Sequence, residues 1–406
     1  MVQSKKNITF AGQFLVEYMK IIVASDSFKG SLSSREVACA AMRGIRHVHS
    51  ACEVVAVNVA DGGEGTVAAV VEALEGKIVT TMVSDPLRRP ISAIYGVVGK
   101  KAIIEMASAS GLTLLTNEER NPWQTSTYGT GEIIMDAIRR GCREFLIGIG
   151  GSATNDAGTG MLQALGFRFY DAAGQEIVDC CGGRLTDIAR IDDRDVSPAV
   201  RQSNFVVACD VDIPFCGLEG AAYVFAPQKG AGAEMVARLD AGMASFAQVI
   251  EKMYGVDVIS IAGAGAAGGM GGAFCAILHA TLRCGVDMVL DTIGFDRIIQ
   301  GADLIITGEG KIDSQTVKGK VASGILSRAN AQGVPVVAIG GSVEMCEGVE
   351  QLGFAGIYPI MDVNQPLEVA MQPDVAAANV EQTVTRILSH SLNSKHETFN
   401  KNLHMS

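Results

Sequence analysis

Both ends of this chain alternate short apolar runs with helical stretches, and that alternation admits few folds. Ile21–Ala24 reads as a buried strand, and Ser33-Ser34-Arg35-Glu36 as a capping box that opens a helix to about Arg46. Val54–Val59 is a second strand and Thr66–Leu74 a second helix, stopped at Gly76. The pattern returns late in the chain. Leu304–Thr307, Val334–Ile339 and Ala355–Ile360 read as strands, with helices over about Val321–Gln332 and Ala376–His390. Such alternation calls for a parallel sheet covered by helices. Composition agrees: 48% of residues are hydrophobic but only 5% aromatic, so the apolar content is aliphatic, as buried parallel strands require.

The middle has another texture. Lys77–Val83, Ile91–Val98 and Ala102–Met106 are close-spaced strand-like runs, parted by Asp85-Pro86 and Gly99, which favours antiparallel pairing. Further on, Thr130–Arg140 and Gly158–Leu165 read as helices. Phe145–Ile149 and Phe205–Val211 read as strands, and Phe167–Ala172 with Glu176–Val178 as a hairpin. A chain of 406 residues exceeds one core, which stops growing near about 250–300 residues. The expectation is therefore an α/β protein of two domains. Residues 19–84 and 285–390 form a discontinuous parallel-sheet domain, and 85–284 an inserted mixed α/β domain, with the active site in the cleft between them. Residues 1–18 are expected to be an extension and 391–406 a polar tail.

Charge and cysteine usage narrow the function. A formal net charge of −11 with no basic stripe excludes a nucleic-acid partner. The ten cysteines show no C-x-x-C spacing, so reduced thiols in the cytoplasm are expected, without a zinc site. Val258–Leu282 lacks Asp, Glu, Lys and Arg, but its six glycines mark a buried loop and core helix rather than a membrane span. The histidines, at 47, 49, 279, 390, 396 and 404, lie away from every polar motif, which leaves carboxylates as candidate bases.

Six glycine-punctuated polar segments follow strands or join elements. They are Ser25 to Ser31, Ala60 to Thr66, Gly148 to Asp156, Cys209 to Asp212, Gly263 to Gly272, and Thr307 to Asp313. Glycine lets backbone N–H groups approach phosphate oxygens, and a following helix adds its positive end. Carboxylates beside such loops suggest a divalent cation or a proton acceptor. Together the segments read as phosphoryl transfer. A P-loop is absent, because Lys311 and Lys320 are followed by Ile and Val. Gly263-Ala264-Gly265-Ala266-Ala267-Gly268 matches the dinucleotide fingerprint after a short strand-like run, Val258–Ala262, but falls mid-chain, outside an opening βαβ unit.

These segments, in this order, resemble the bacterial glycerate kinase family. Matching stretches include Asp26-Ser27-Phe28-Lys29, Ala107 to Leu112, Tyr128 to Glu132, Gly148 to Asp156, Ala208 to Asp212, Pro227 to Ala231 and Thr307 to Thr316. The similarity runs from about Met19 to residue 390. It implies two α/β domains, the discontinuous one Rossmann-like, and phosphorylation of D-glycerate by ATP with Mg²⁺, 2-phosphoglycerate being the more expected product. It departs at Asp212-Ile213-Pro214, where the family carries an Asn in place of Ile213.

On this reading Ser27, Lys29, Gly150, Gly151, Ser152, Thr154, Lys229, Gly265, Gly268, Gly269 and Glu309 bind phosphates or substrate. Asp61 and Asp313 hold the metal. Asp210 is the expected base, with Asp156 second and Lys29 assisting. The partners are small molecules, with no nucleic acid or membrane, and the protein is a monomer or homodimer. The alternatives are a kinase of another small hydroxy acid and an inactive ligand-binding homologue.

Overall fold

The computed structural model describes residues 19–318, 320–362 and 365–403; the expected extension, 1–18, and the last three residues lie outside them. The strands are β1 Lys20–Ser25, β2 Glu53–Asn58, β3 Lys77–Ser84, β4 Pro90–Val98, β5 Lys101–Glu105, β6 Glu144–Gly148, β7 Arg168–Tyr170, β8 Glu176–Ile177, β9 Arg190–Asp192, β10 Asn204–Ala208, β11 Thr281–Arg283, β12 Leu304–Ile312, β13 Val336–Val343 and β14 Gly356–Pro359. The helices that shape the site are α1 Ser34–Val48, α2 Thr66–Ala73, α3 Tyr128–Arg139, α4 Thr159–Ala164, α5 Ala233–Tyr254, α6 Ala266–Ala276, α7 Gly285–Ile293, α8 Val321–Ala331, α9 Leu367–Ala370 and α10 Pro373–Leu403.

The first sheet is parallel throughout, in the order β14-β13-β12-β1-β2. Read in chain order this is 2-1-3-4-5, the doubly wound arrangement whose direction reverses between β1 and β12. Ligands of such sheets bind in the crevice outside the carboxyl ends of the strands at that reversal. Ser33 and Glu36 form the expected capping box, and α1 packs with α10 over Ile21, Val23 and Ile306. The opposite face of the sheet carries α2, α7 and α8, whose Val67, Val70, Val286, Val289 and Ile325 cover Ile22, Ala24 and Ile305.

That second layer also contains Ile103, Leu146 and Ala208 from the other sheet. Helices α2 and α7 are thus shared between two sheets, which makes the lobes one apolar body at that seam. The second sheet runs β11-β10-β6-β5-β4-β3, parallel from β11 to β5 and antiparallel at β4 and β3. Its far face packs against α3, α4, α5 and α6, and a small antiparallel sheet β8-β7-β9 lies in the same lobe.

Several expectations need correction. Lys77–Ser84 pairs with β4, so the chain crosses into the second sheet directly after α2 and not near residue 85. Gly76 permits this: a side chain there would lie 2.9 Å from the Val97 carbonyl, so only bare backbone lets the chain join β4 as soon as α2 ends. Val258–Ala262 is not a strand. Asp257 accepts the Ile259 N–H at 3.1 Å and closes a single 3-10 turn over Val258–Ser260, so the fingerprint glycines lack their strand. The polar tail expected from residue 391 continues α10 as far as Leu403, since neither Gly nor Pro follows His390 to stop it. Among the described residues no helix is long and apolar enough to cross a membrane; the glycine-rich segment becomes the buried α6.

Candidate active site

β1 and β12 deliver the first carboxylates. Asp26 follows β1; its N–H bonds the Gly308 carbonyl at 2.9 Å and its Oδ1 accepts the Ser27 N–H at 2.7 Å. Burial, then the nearby Asp61, pushes its pKa up to about 6. Glu309 lies within β12 and is 4% exposed. The Thr316 hydroxyl donates to its Oε1 at 2.6 Å, and the Lys320 ammonium lies 4.0 Å from its Oε2. Burial outweighs both and raises its pKa to about 7. These groups line a cavity of about 350 Å³ together with Ser27, Lys29, Asp61, Lys311 and Lys320.

Asp61 stands where the lobes meet. The loop after β2 runs so close to the second lobe that a side chain at Gly148 would lie 1.9 Å from the Gly62 carbonyl oxygen, and one at Gly285 would lie 1.8 Å from that of Asp61. Only bare backbone fits on both sides of this contact. Asp61 Oδ1 accepts the Gly63 N–H at 3.1 Å, and a side chain at Gly150 would lie 3.7 Å from the Gly63 Cα. Gly150 and Gly151 are exposed at this edge.

Asp210 projects from the second lobe just past β10. Its Oδ1 accepts the Gly285 N–H at 2.8 Å, at the positive end of α7, and the Cys284 thiol donates to it. The desolvating walls still raise its pKa, and the charge of Asp61 adds to that rise. Asp61 therefore repels both Asp26 and Asp210, one in each lobe.

The remaining expected residues fall into two groups. Ser152 is 8% exposed beside Gly151, and the buried Lys229 ammonium donates to its Oγ at 2.7 Å and to the Thr154 carbonyl at 2.6 Å. Burial lowers the Lys229 pKa to about 7, with Asp156 pulling the other way. Lys229 thus stands beneath the cleft surface and not in it. Thr154 is fully buried. Asp156 is also fully buried; its carboxylate accepts the Thr127 N–H and hydroxyl, both at 2.8 Å, and the Gly158 and Gly160 N–H groups, both at 3.2 Å. With every bond turned inward it pins the starts of α3 and α4. Gly265, Gly268 and Gly269 are buried against Pro214, Thr154 and Phe215, where close packing accounts for them. Asp313 accepts the Gln315 N–H at 2.8 Å, sits 3.2 Å from Lys311, and does not line the cavity. That backbone bond heads the causes holding its pKa low.

Sequence reasoning passed over Asp26, Lys311 and Lys320 as site residues. The signal for Asp26 was available: a carboxylate just past a strand's carboxyl end faces the ligand crevice of an α/β sheet. Ile213 contributes its carbonyl, which accepts the Gly265 N–H at 2.9 Å, so loss of an amide side chain leaves this backbone role intact. Among the described residues no three His, Cys, Asp or Glu side chains are grouped to hold a metal unaided. Hard oxygen donors such as Asp26 and Asp61 do fit Mg²⁺, which binds through one or two carboxylates and keeps its other positions for water and phosphate.

Known proteins resemble this chain along most of its length. The profile of the Glycerate kinase family matches residues 21–391. A glycerate kinase of Bacillus subtilis strain 168 is 46% identical over 372 residues, covering 91% of this chain and 97% of that protein. A glycerate 2-kinase of Escherichia coli K12 is 44% identical, covering 84% and 91%. A crystal structure of a candidate glycerate kinase 2 from Salmonella typhimurium LT2 superposes with a TM-score of 0.84 at 42% identity, covering 94% of this chain and 100% of that one. The cleft built from two sheets, the lysine-lined cavity and these matches along nearly the whole chain lead to one conclusion: this chain is a kinase and belongs to the glycerate kinase family.

Proposed function

We propose that the chain transfers the γ-phosphoryl group of ATP to a hydroxyl of D-glycerate, with 2-phosphoglycerate as product, in the cytoplasm. The observation that carries this reading is the position of Asp61, between a cavity lined by Lys29, Lys311 and Lys320 and the exposed Asp210 across the seam. The family match and the name of the Escherichia coli relative support the substrate and the 2-position.

In this mechanism the lysines cradle the triphosphate and the exposed N–H groups of Gly150 and Gly151, with Ser152, bind the glycerate carboxylate. Asp26 and Asp61 would hold Mg²⁺, which when bound neutralises phosphate charge. Asp210 accepts the proton of the attacking hydroxyl as that oxygen bonds to the γ-phosphorus. The bond from the γ-phosphorus to the bridging oxygen breaks, and ADP leaves with the electron pair. The N–H of Gly285 keeps Asp210 oriented throughout.

Phosphorus NMR after incubation with D-glycerate and Mg-ATP tests the reading. A 2-phosphoglycerate resonance is expected, and Asp210→Asn should slow its appearance by about 10²–10⁴-fold. A product carrying phosphate on the 3-position, or none with glycerate but one with another hydroxy acid, would replace it.

A further inference from the structure

We propose that the apolar end of the 350 Å³ cavity, between the carboxyl ends of β1 and β13 and the helices α9 and α10, is the subsite for the nucleobase of the phosphoryl donor. This rests on the reading of ATP as donor. The cavity is chemically divided. One end carries Lys29, Lys311, Lys320 and the carboxylates; the other is walled by Ile360, Met361, Leu367, Ala370 and Met371. A volume of this size falls within the range of small-ligand sites, which are mostly apolar with a few fixed polar groups.

Two independent features say what the apolar end receives. Leu367 is 62% exposed and Met371 38% exposed, though both line a concave wall. A flat aromatic ring laid there would cover side chains that the fold itself leaves wet, and Met adapts to such a ring. The wall also begins directly above the phosphate end: a side chain built at Gly30, next to Lys29, would meet the Met371 methyl at 3.2 Å.

The second feature is a strand edge that no described strand pairs. β13 runs to Val343, but its pairing with β14 ends at Gly340 opposite Pro359. Beyond that point, among the described residues, β13 pairs with β12 alone, and Gly341 and Ser342 line the cavity. A strand edge offers main-chain donors and acceptors, which is what the rim of a nucleobase pairs with. On the far wall the Asn379 amide nitrogen donates to Gln365 at 2.9 Å, which leaves its carbonyl oxygen as an acceptor. An apolar slot beside a strand edge, opening onto lysines, fits a base, then a ribose, then phosphates.

The test separates base from phosphate. Calorimetry would measure Kd for ADP and for inorganic tripolyphosphate, which lacks a base, on the full chain and on the Leu367→Ser, Met371→Ser double variant. Both positions are exposed, and an unchanged circular-dichroism melt checks the fold. The proposal expects the ADP Kd to rise at least tenfold and the tripolyphosphate Kd to stay within twofold. Steady-state kinetics should show KM for ATP rising by a similar factor with KM for D-glycerate unchanged. Equal weakening of both ligands, or none, overturns the base subsite while leaving the kinase reading in place. A wild-type chain that phosphorylates glycerate but binds ADP no better than tripolyphosphate also overturns the subsite. A wild-type chain that binds no ADP and makes no phosphoglycerate overturns both.

Discussion

Lys229 sits where water cannot reach it, and its neighbours explain why the chain tolerates that. The ammonium bonds only to Ser152 Oγ and the Thr154 carbonyl, with Asp156 the nearby opposite charge. A lysine donates and never accepts while protonated. The Ser152 oxygen is thereby spent as an acceptor, and its own proton is free to point into the cleft. Lys229 was expected to be a phosphate or substrate ligand because it falls in Pro227 to Ala231, a stretch that resembles the glycerate kinase family. Burial is what the local sequence did not reveal, since it depends on Asp156 and Thr154, more than seventy residues away. The linkage has a definite sign. The folded pKa, about 7, lies below the ordinary lysine value of 10.5, so between these pH values the unfolded chain holds the extra proton. Stability from this group rises with pH across that window and is flat below it. Replacing Lys229 by Met should remove up to about 2 kcal/mol of the stability rise between pH 7 and pH 8.5, read as the difference in urea unfolding free energy at the two pH values. An identical rise in both proteins would show that Lys229 keeps its proton when folded.

Strand β12 shows how an element can be half legible. Leu304–Thr307 was readable as a strand, and Thr307 to Asp313 as a phosphate loop. The structure runs the strand on through Gly308, Glu309 and Gly310 to Ile312. These glycines serve close approach of two strands: a side chain at Gly341 would lie 2.5 Å from the Gly310 carbonyl oxygen. Nothing in a single segment distinguishes a glycine that frees a loop from one that admits a neighbour. The strand holds Glu309 on a ladder where a loop would let it move, which suits a group that must meet charge in a fixed position. The start of α7 follows the same rule. Gly285 presents its N–H to Asp210 and its bare Cα to the Asp61 carbonyl. Gly285→Ala should drive the Asp61 loop from its place and lower kcat by at least tenfold, while the KM for ATP changes far less. A variant with full kcat would mean that the seam between Asp61 and Asp210 is not where the chemistry happens.

The whole molecule joins two sheets through one helical layer. The alternation of strand and helix at the chain ends gave the doubly wound sheet, and with it the crevice at β1 and β12. The second lobe was less legible. β9 and β11 are only three residues each, and the 22-residue α5 mixes polar and apolar residues over a span that carries no sharp starting signal. Because α2 and α7 bury side chains against both sheets, the lobes should lose structure together. The chain's single tryptophan, Trp123, lies in the second lobe with the Arg238 guanidinium 4.1 Å above its ring. Its fluorescence should change at the same denaturant concentration as the far-ultraviolet circular dichroism of the entire chain. Two separated midpoints would show that the shared layer does not couple them. The place of β1 between β2 and β12 also bears on how the protein is made. On the ribosome β1 emerges early, whereas Leu304, which opens its other neighbour, follows on the order of tens of seconds later at about 5–20 residues per second. Through that interval the nascent β1 has an open apolar edge, and the strands β3 to β11, uninterrupted in the chain, have time to fold. By the time translation reaches β12, α2 can already be docked on β4 and β5, so the late strands add to a template anchored by the lobe that the ribosome completed before them.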